Sequence, residues 1–211
     1  MKDQSILLIL ILVAFLVIMI VSIIQFTIFI FSKKAEKESL FNFFKKIFKK
    51  KHDQRSINDF YDNLSSSLLK LSADKIGGII AIEREDNLDY YINVGYKIVG
   101  DFSPEFIISV FYNKSSPLHD GGIIIRDMKL TSISSYFPMT RQLLDVSYGA
   151  RHRAGVGLSE KTDAIVFIVS ETNGKISVAQ KGRIKRLSNN PERLFDEIVK
   201  LLDDKKQKDQ F

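Results

Sequence analysis

Pro117-Leu118-His119-Asp120-Gly121-Gly122-Ile123-Ile124-Ile125-Arg126 is the stretch on which the fold reading turns. Ile123 to Arg126 reads as a strand, joined through Asp127-Met128-Lys129 to a second strand from Leu130 to Tyr136. Directly ahead of the first strand an acid stands beside two glycines. A carboxylate there can hold a hard cation, and Gly121 and Gly122 let the backbone approach a ligand closely. The plainer reading of the same residues is an Asp-Gly turn leading into a strand.

Working outward, the apolar spacing from Ser56 to Leu71 predicts an amphipathic helix, ended by Gly77-Gly78. Ile79 to Ile82 reads as a buried strand, and Tyr91 to Val99 as a strand broken by Gly95. Ser103-Pro104-Glu105 is a helix start, with a capping hydroxyl, proline in the first turn and then an acid. Downstream, Arg151 to Glu160 reads as a short helix. Ala164 to Ser170 and Lys175 to Gln180 pair as a hairpin around Thr172-Asn173-Gly174. Asn190-Pro191-Glu192 caps a last helix through Leu202, with Leu194, Ile198 and Leu201 on one face. The expected class is α/β, a mixed β-sheet flanked by helices.

A second polar run lies 32 residues beyond the first: Gly149-Ala150-Arg151-His152-Arg153. The planar fork of arginine suits bidentate contact with phosphate oxygens, and Gly149, Gly155 and Gly157 permit tight turns near an anion. A solvated basic patch is the alternative. Ser159-Glu160 adds a hydroxyl and a second carboxylate. Mg²⁺ takes one or two carboxylates plus phosphate oxygens, which Asp120 and Glu160 could supply. Together the runs point to a metal-assisted nucleotide site. A His-Asp phosphohydrolase centre is disfavoured, because the chain has three histidines in all. With no cysteine, disulfides, zinc–thiolate sites and cysteine nucleophiles are excluded.

The first third differs in character. Ser5 to Phe31 is uncharged and almost wholly Ile, Leu, Val, Phe and Met. As a helix it would measure about 40 Å, enough to cross a hydrocarbon core of about 30 Å with tilt. Between Lys33 and Arg55 stand nine basic and three acidic residues, an excess equal to the net charge of +6 of the whole chain. That excess is local, so it is no nucleic-acid signature. By the positive-inside rule it places the C-terminal part of the chain in the cytoplasm. Aromatics alternate with lysines from Leu40 to Lys51, as in a helix lying on anionic lipid. The expected organisation is a transmembrane anchor (1–32), a basic juxtamembrane linker (33–55), a catalytic domain (56–204) and a polar tail (205–211).

The two polar runs resemble the "LHDGA" and "GTRHRAA" segments of the diadenylate cyclases, the cyclic di-AMP synthases, in order and approximate spacing. The resemblance extends from about Ile76 to Leu187, through Ala81 to Glu85, Tyr136-Phe137-Pro138 and Gly157 to Glu160. One apolar span ahead of the domain resembles the one-helix membrane form of the family. The resemblance implies condensation of two ATP into cyclic di-AMP, with release of two pyrophosphates, by a transient face-to-face homodimer. It implies that Asp120 is the central acid, with His119 and Glu160 also at a divalent metal, Mg or Mn. Arg151, His152 and Arg153 would hold the triphosphate with Ser159, and Gly121, Gly122 and Gly149 would line its path. Tyr136 would lie near adenine and Leu118 would wall that pocket. Two residues depart from the pattern: Gly122 stands for the usual alanine and Ala150 for the usual threonine. The rival readings are a membrane-tethered ATP sensor without turnover and a structural adaptor whose polar motifs cap turns.

Overall fold

The computed structural model describes residues 15–26 and 56–203. The chain divides into two compact units, Met1–Arg55 and Ser56–Phe211. In the first, residues 15–26 are helical with exposed apolar side chains. The rest of the expected span, all of the basic linker and the polar tail lie outside the described residues. Among those described, no helix is long and apolar enough to cross a membrane.

The second unit opens with helix α1 over 56–73. Phe60, Leu64, Leu68 and Leu71 recur at helical spacing and are buried. Strand β1 (Gly78–Ile82) comes next, then α2 (Asp89–Val94), β2 (Tyr96–Asp101) and α3 (Pro104–Tyr112). A 3₁₀ turn at Pro117–His119 leads into β3 (Gly122–Arg126) and β4 (Lys129–Ser135). After a long loop come α4 (Ala150–Lys161), β5 (Ile165–Val169), β6 (Ile176–Gln180), β7 (Arg183–Arg186) and α5 (Pro191–Leu202). Ser103 and Asn190 cap α3 and α5 by accepting from Phe106 N and Arg193 N.

All seven strands form one sheet in the order β2-β4-β3-β1-β5-β6-β7. Only β1 and β3 run parallel; every other neighbour is antiparallel, so the sheet is mixed. Alternate residues of the central strands feed two cores. Ile80, Ile82, Ile123, Ile125 and Phe167 face a cluster completed by α1, α3 and α5. Ile79, Ala81, Ile124, Val166 and Ile168 face one completed by α2 and α4. Helices on both sides explain why β1, β3 and β5 read as unbroken apolar runs. Asp127 and Met128, both at positive φ, form the two-residue turn that joins β3 to β4.

One expectation needs correction, and one strand had no counterpart among the expected elements. The expected strand from Tyr91 to Val99 is α2 followed by β2. Leu88 and Ile92, four residues apart, are both buried, which is helical and not strand spacing. Gly95 then turns the chain onto β4, where a Cβ would collide with Ser132, Ser135 and the carbonyl of Ile133. Strand β7 gave no apolar alternation, because it is a polar edge strand with Ile184 as its one apolar residue.

Candidate active site

Three segments distant in sequence meet at one end of the central strands: the turn into β3, the start of α4 and the exit from β5. Gly121 has φ +90°, and a Cβ there would stand 2.7 Å from the backbone of Ser134. Asp120-Gly121 is therefore folded tightly onto β4. The hydroxyl of Ser134 locks it there, donating to the carbonyls of Asp120 (2.6 Å) and Pro117 (3.2 Å). Gly122 has the ring of Phe137 where a side chain would be.

Beside this turn is a pocket of about 330 Å³, whose lining includes Asp120, Gly121, Gly122, Tyr136, Met139 and Arg151. Its apolar walls and single acid suit a flat, polar-edged ligand. A smaller cleft of about 50 Å³ adjoins it, formed by Gly149, Ala150, Arg151 and His152 opposite Ser170, Glu171 and Thr172. Ala150 and Arg151 line both. The cleft lies at the N-terminus of the 12-residue helix α4, which carries no side-chain cap and no acid in its first turn. Such a terminus favours an anion.

Arg151 is the hinge between the two spaces. Its Nη1 donates to Glu171 Oε2 at 3.0 Å and its Nη2 to the His119 carbonyl at 3.5 Å. Its Nε is buried without a hydrogen-bond partner. An unmet buried donor is costly, and a phosphate oxygen would meet it. Gly77 makes room for this arrangement: a Cβ there would stand 2.8 Å from Arg151 Nη1 and 3.0 Å from Glu171.

His152 lines the small cleft but is 4 % exposed, its ring 4.9 Å from that of Tyr148. Burial first, and then the charge of Arg186, lower its pKa below the ordinary value of 6.5, so the imidazole is neutral at pH 7. Arg153 is half-buried and lines neither space; its carbonyl accepts from Thr140 N. Leu118 packs against the α1-side core instead of walling the pocket.

Ser159 and Glu160 are set apart. They lie at the other end of α4, about 12–14 Å along the helix from Arg151. The Ser159 hydroxyl is buried, donating to Val156 O and accepting from Gly182 N. Glu160 accepts from the Thr140 hydroxyl and from Gln142 Nε2, and lines a separate open cleft with Asp163 and Lys181. Neither faces the phosphate cleft. Gly155 and Gly157 likewise serve packing: a Cβ at Gly155 would press on Ile168, and one at Gly157 on the backbone of Pro138 and Met139. Nothing would meet a Cβ at Gly149.

For a metal, the donor set is small. Among the described residues no group of three or more His, Asp or Glu side chains converges. His119 Nδ1 lies 2.6 Å from the Ser116 carbonyl, so Nδ1 carries the proton and Nε2 keeps its lone pair. Asp120 lines the pocket whereas His119 lines neither space, and a divalent cation held at that carboxylate would take most of its ligands from phosphate and water. The sequence reading placed Ser170 at the end of a strand and Thr172 in the hairpin turn, and gave Glu171 between them no role. Their signal was an acid at the exit of an entirely apolar strand.

The DisA bacterial checkpoint controller nucleotide-binding family matches residues 65–184, more than half of the chain. The chain belongs to the diadenylate cyclase family. It is 59% identical over 177 residues to a diadenylate cyclase from Mycoplasma genitalium, covering 84% of this chain and 88% of that one. Its fold is similar to a double-mutant form of DacA from Staphylococcus aureus, with TM-score 0.65, 35% identity, and 69% and 96% of the two chains covered. A Bacillus cereus structure described as a hypothetical membrane spanning protein is similar at TM-score 0.57 and 34% identity, over 60% and 62%. In this diadenylate cyclase the two polar runs meet around two neighbouring spaces that share Ala150 and Arg151.

Proposed function

We propose that the pocket and the cleft together hold one ATP, and that this diadenylate cyclase joins two ATP into cyclic di-AMP when two copies bring their pockets face to face. The observation that supports the reading is that an apolar pocket and a cleft at a helix N-terminus share Ala150 and Arg151 as lining, with Arg151 Nε left without a partner. Adenosine suits the space beside Tyr136 and Met139. The triphosphate suits the cleft at the start of α4, held by Arg151, the helix terminus and the hydroxyls of Ser170 and Thr172.

In the reaction each 3′-oxygen bonds to the α-phosphorus of the other ATP. Two pyrophosphates leave and each 3′-hydroxyl gives up a proton. The protein's task is positioning and charge neutralisation. Asp120 lines the pocket, where its carboxylate would take the proton of the 3′-hydroxyl, and Arg151 offsets charge that builds on the phosphates and the leaving group. A divalent cation, Mg or Mn, supplies charge screening and a lower hydroxyl pKa when bound; Asp120 would hold it with ATP's own oxygens. One chain provides one such space, so the second ATP must arrive on a second copy.

The anchor belongs to the same proposal. Ser5 to Phe31 crosses the membrane once, with the basic linker and the catalytic domain on the cytoplasmic side. Its apolar length, the charge asymmetry and the description of the Bacillus cereus neighbour support this. The deciding experiment incubates the purified full chain with ATP and Mg²⁺ or Mn²⁺ and separates the nucleotides. Cyclic di-AMP and pyrophosphate are expected; bound but unconverted ATP would leave a sensor.

A further inference from the structure

Ser67 shows what a buried serine in α1 ordinarily does: its hydroxyl donates back to Asn63 O at 2.8 Å, four residues earlier. Ser72, buried in the last turn of the same helix, does otherwise. Its hydroxyl crosses 102 residues of chain to donate to Gly174 O at 2.5 Å. Asn189, in the link between β7 and α5, donates through Nδ2 to Ser72 Oγ at 2.6 Å and to Gly174 O at 3.4 Å. Gly174 is pressed onto the same helix end: its φ is +68°, and a Cβ would stand 2.4 Å from Ser72 O. Three segments far apart in sequence thus meet at one carbonyl. Gly174 also closes the turn between β5 and β6. Its N–H donates to Ser170 O at 2.9 Å, and Ser170 N donates to Lys175 O at 3.0 Å, so the base of the turn is shut. Beyond that base Glu171 and Thr172 are exposed, and both line the anion cleft. There Glu171 accepts from Arg151 Nη1.

We infer that Ser72 and Asn189 are positioning residues for nucleotide binding: they hold Gly174, and through it the turn that sets Glu171 against Arg151 in the cleft. The inference rests on the reading above that this cleft takes the triphosphate. Neither residue lines the cleft or the pocket, so their effect passes through the turn. It falls on the phosphates and spares the nucleoside, because no residue of the turn lines the pocket. The Ser72 hydroxyl suits this task. Its one proton goes to the Gly174 carbonyl and its lone pair takes the Asn189 amide, so both partners are fixed at once. Without that hydroxyl the carbonyl keeps, of these two side-chain bonds, only the long one from Asn189. The turn then has room to shift, and Glu171 shifts with it relative to Arg151.

The test is a pair of titrations on the full chain, kept in solution with detergent and with Mg²⁺ present. 3′-Deoxy-ATP, which cannot cyclise, reads the pocket and the cleft together; 3′-deoxyadenosine reads the pocket alone. Ser72→Ala removes the hydroxyl, and Asn189→Asp keeps the shape of the side chain but loses the amide donor. Each should raise the dissociation constant of 3′-deoxy-ATP about three- to tenfold, the scale of one hydrogen bond, and leave that of 3′-deoxyadenosine within about twofold. Asn190→Ala is the control. It removes the cap of α5 and so lowers the melting temperature without reaching the turn, and it should change neither constant. If Ser72→Ala and Asn189→Asp weaken both ligands equally, or change neither constant whatever the melting temperature does, these residues only hold the fold and the inference is overturned. Failure of the triphosphate reading shows differently, before any substitution is made: the unsubstituted chain would bind 3′-deoxy-ATP no more tightly than 3′-deoxyadenosine.

Discussion

The two ends of α4 both carry polar residues and do opposite things with them. At the N-terminal end, Arg151 is half-satisfied: one arm reaches Glu171, the other makes a long bond to His119 O, and its Nε is buried without a partner beside an open cleft. At the C-terminal end, Ser159 is engaged by Val156 and Gly182, and Glu160 pins loop 136–149 to the helix through Thr140 and Gln142. The difference separates a group kept ready for a ligand from one used up in holding the fold. Residue type does not distinguish them; unmet hydrogen-bonding capacity does.

The sharpest way to break the comparison is at the acid facing the N-terminal end. Asp120→Asn should lower cyclic di-AMP formation by at least about 100-fold, as expected for loss of a general-base or metal function. ATP binding, measured by calorimetry, should persist; near-normal turnover would remove Asp120 from the chemistry. Next is Arg151→Ala, which deletes charge-assisted bonds worth about 1.5–3 kcal/mol. ATP affinity or turnover should fall about tenfold or more, and an unchanged titration would mean the unpaired Nε never meets phosphate.

At the opposite end, Glu160→Ala should behave as a stability mutation. Loss of its hydrogen bonds to Thr140 and Gln142 should cost about 1 kcal/mol in denaturant unfolding, with turnover within about threefold of the parent. A loss of activity like that of Arg151→Ala would restore Glu160 to the site and erase the contrast. The smallest expected effect is a pH limb. His152 has a folded-state pKa below 6.5, so under acid the unfolded chain takes up the proton first. Stability should therefore fall as pH drops below about 6.5 and level off below the folded-state pKa. His152→Gln should flatten that limb in denaturant titrations between pH 5 and 7.5, and an unaltered slope would show that another group causes it.

How much of the molecule is legible in the sequence depends on how local each signal is. Ser103-Pro104-Glu105 and Asn190-Pro191-Glu192 mark helix starts by chemistry contained within three residues, and both helices begin there. The triple-isoleucine strand was visible for the same reason. Strand β2 was hidden because its true start depends on how Gly95 meets Ser132 and Ser135, some 40 residues away. In the site, the two motifs were legible and their meeting at Arg151 was not, since spacing along a chain says nothing of spacing across a sheet. The helix length that separates Glu160 from Arg151 is likewise a property of the fold that their closeness in sequence does not show. Glu171 was passed over because a turn explained it locally, while its partner Arg151 came from another element.

The glycine at 77 has a broader consequence. It belongs to the turn before β1, yet it bounds the guanidinium of α4 and the carboxylate just past β5. The ligand space is thus stitched from parts that exist together only once the last central strand has docked. A chain halted after β4 would carry Asp120 and its glycines but no nest for a nucleotide. Bound ATP then grips first, middle and late segments at once, so it should act as a clamp on the whole domain. Its occupancy should be readable as a rise in melting temperature that grows with ligand concentration. Gly77→Ala should weaken that rise, because its methyl would press on Arg151 and Glu171.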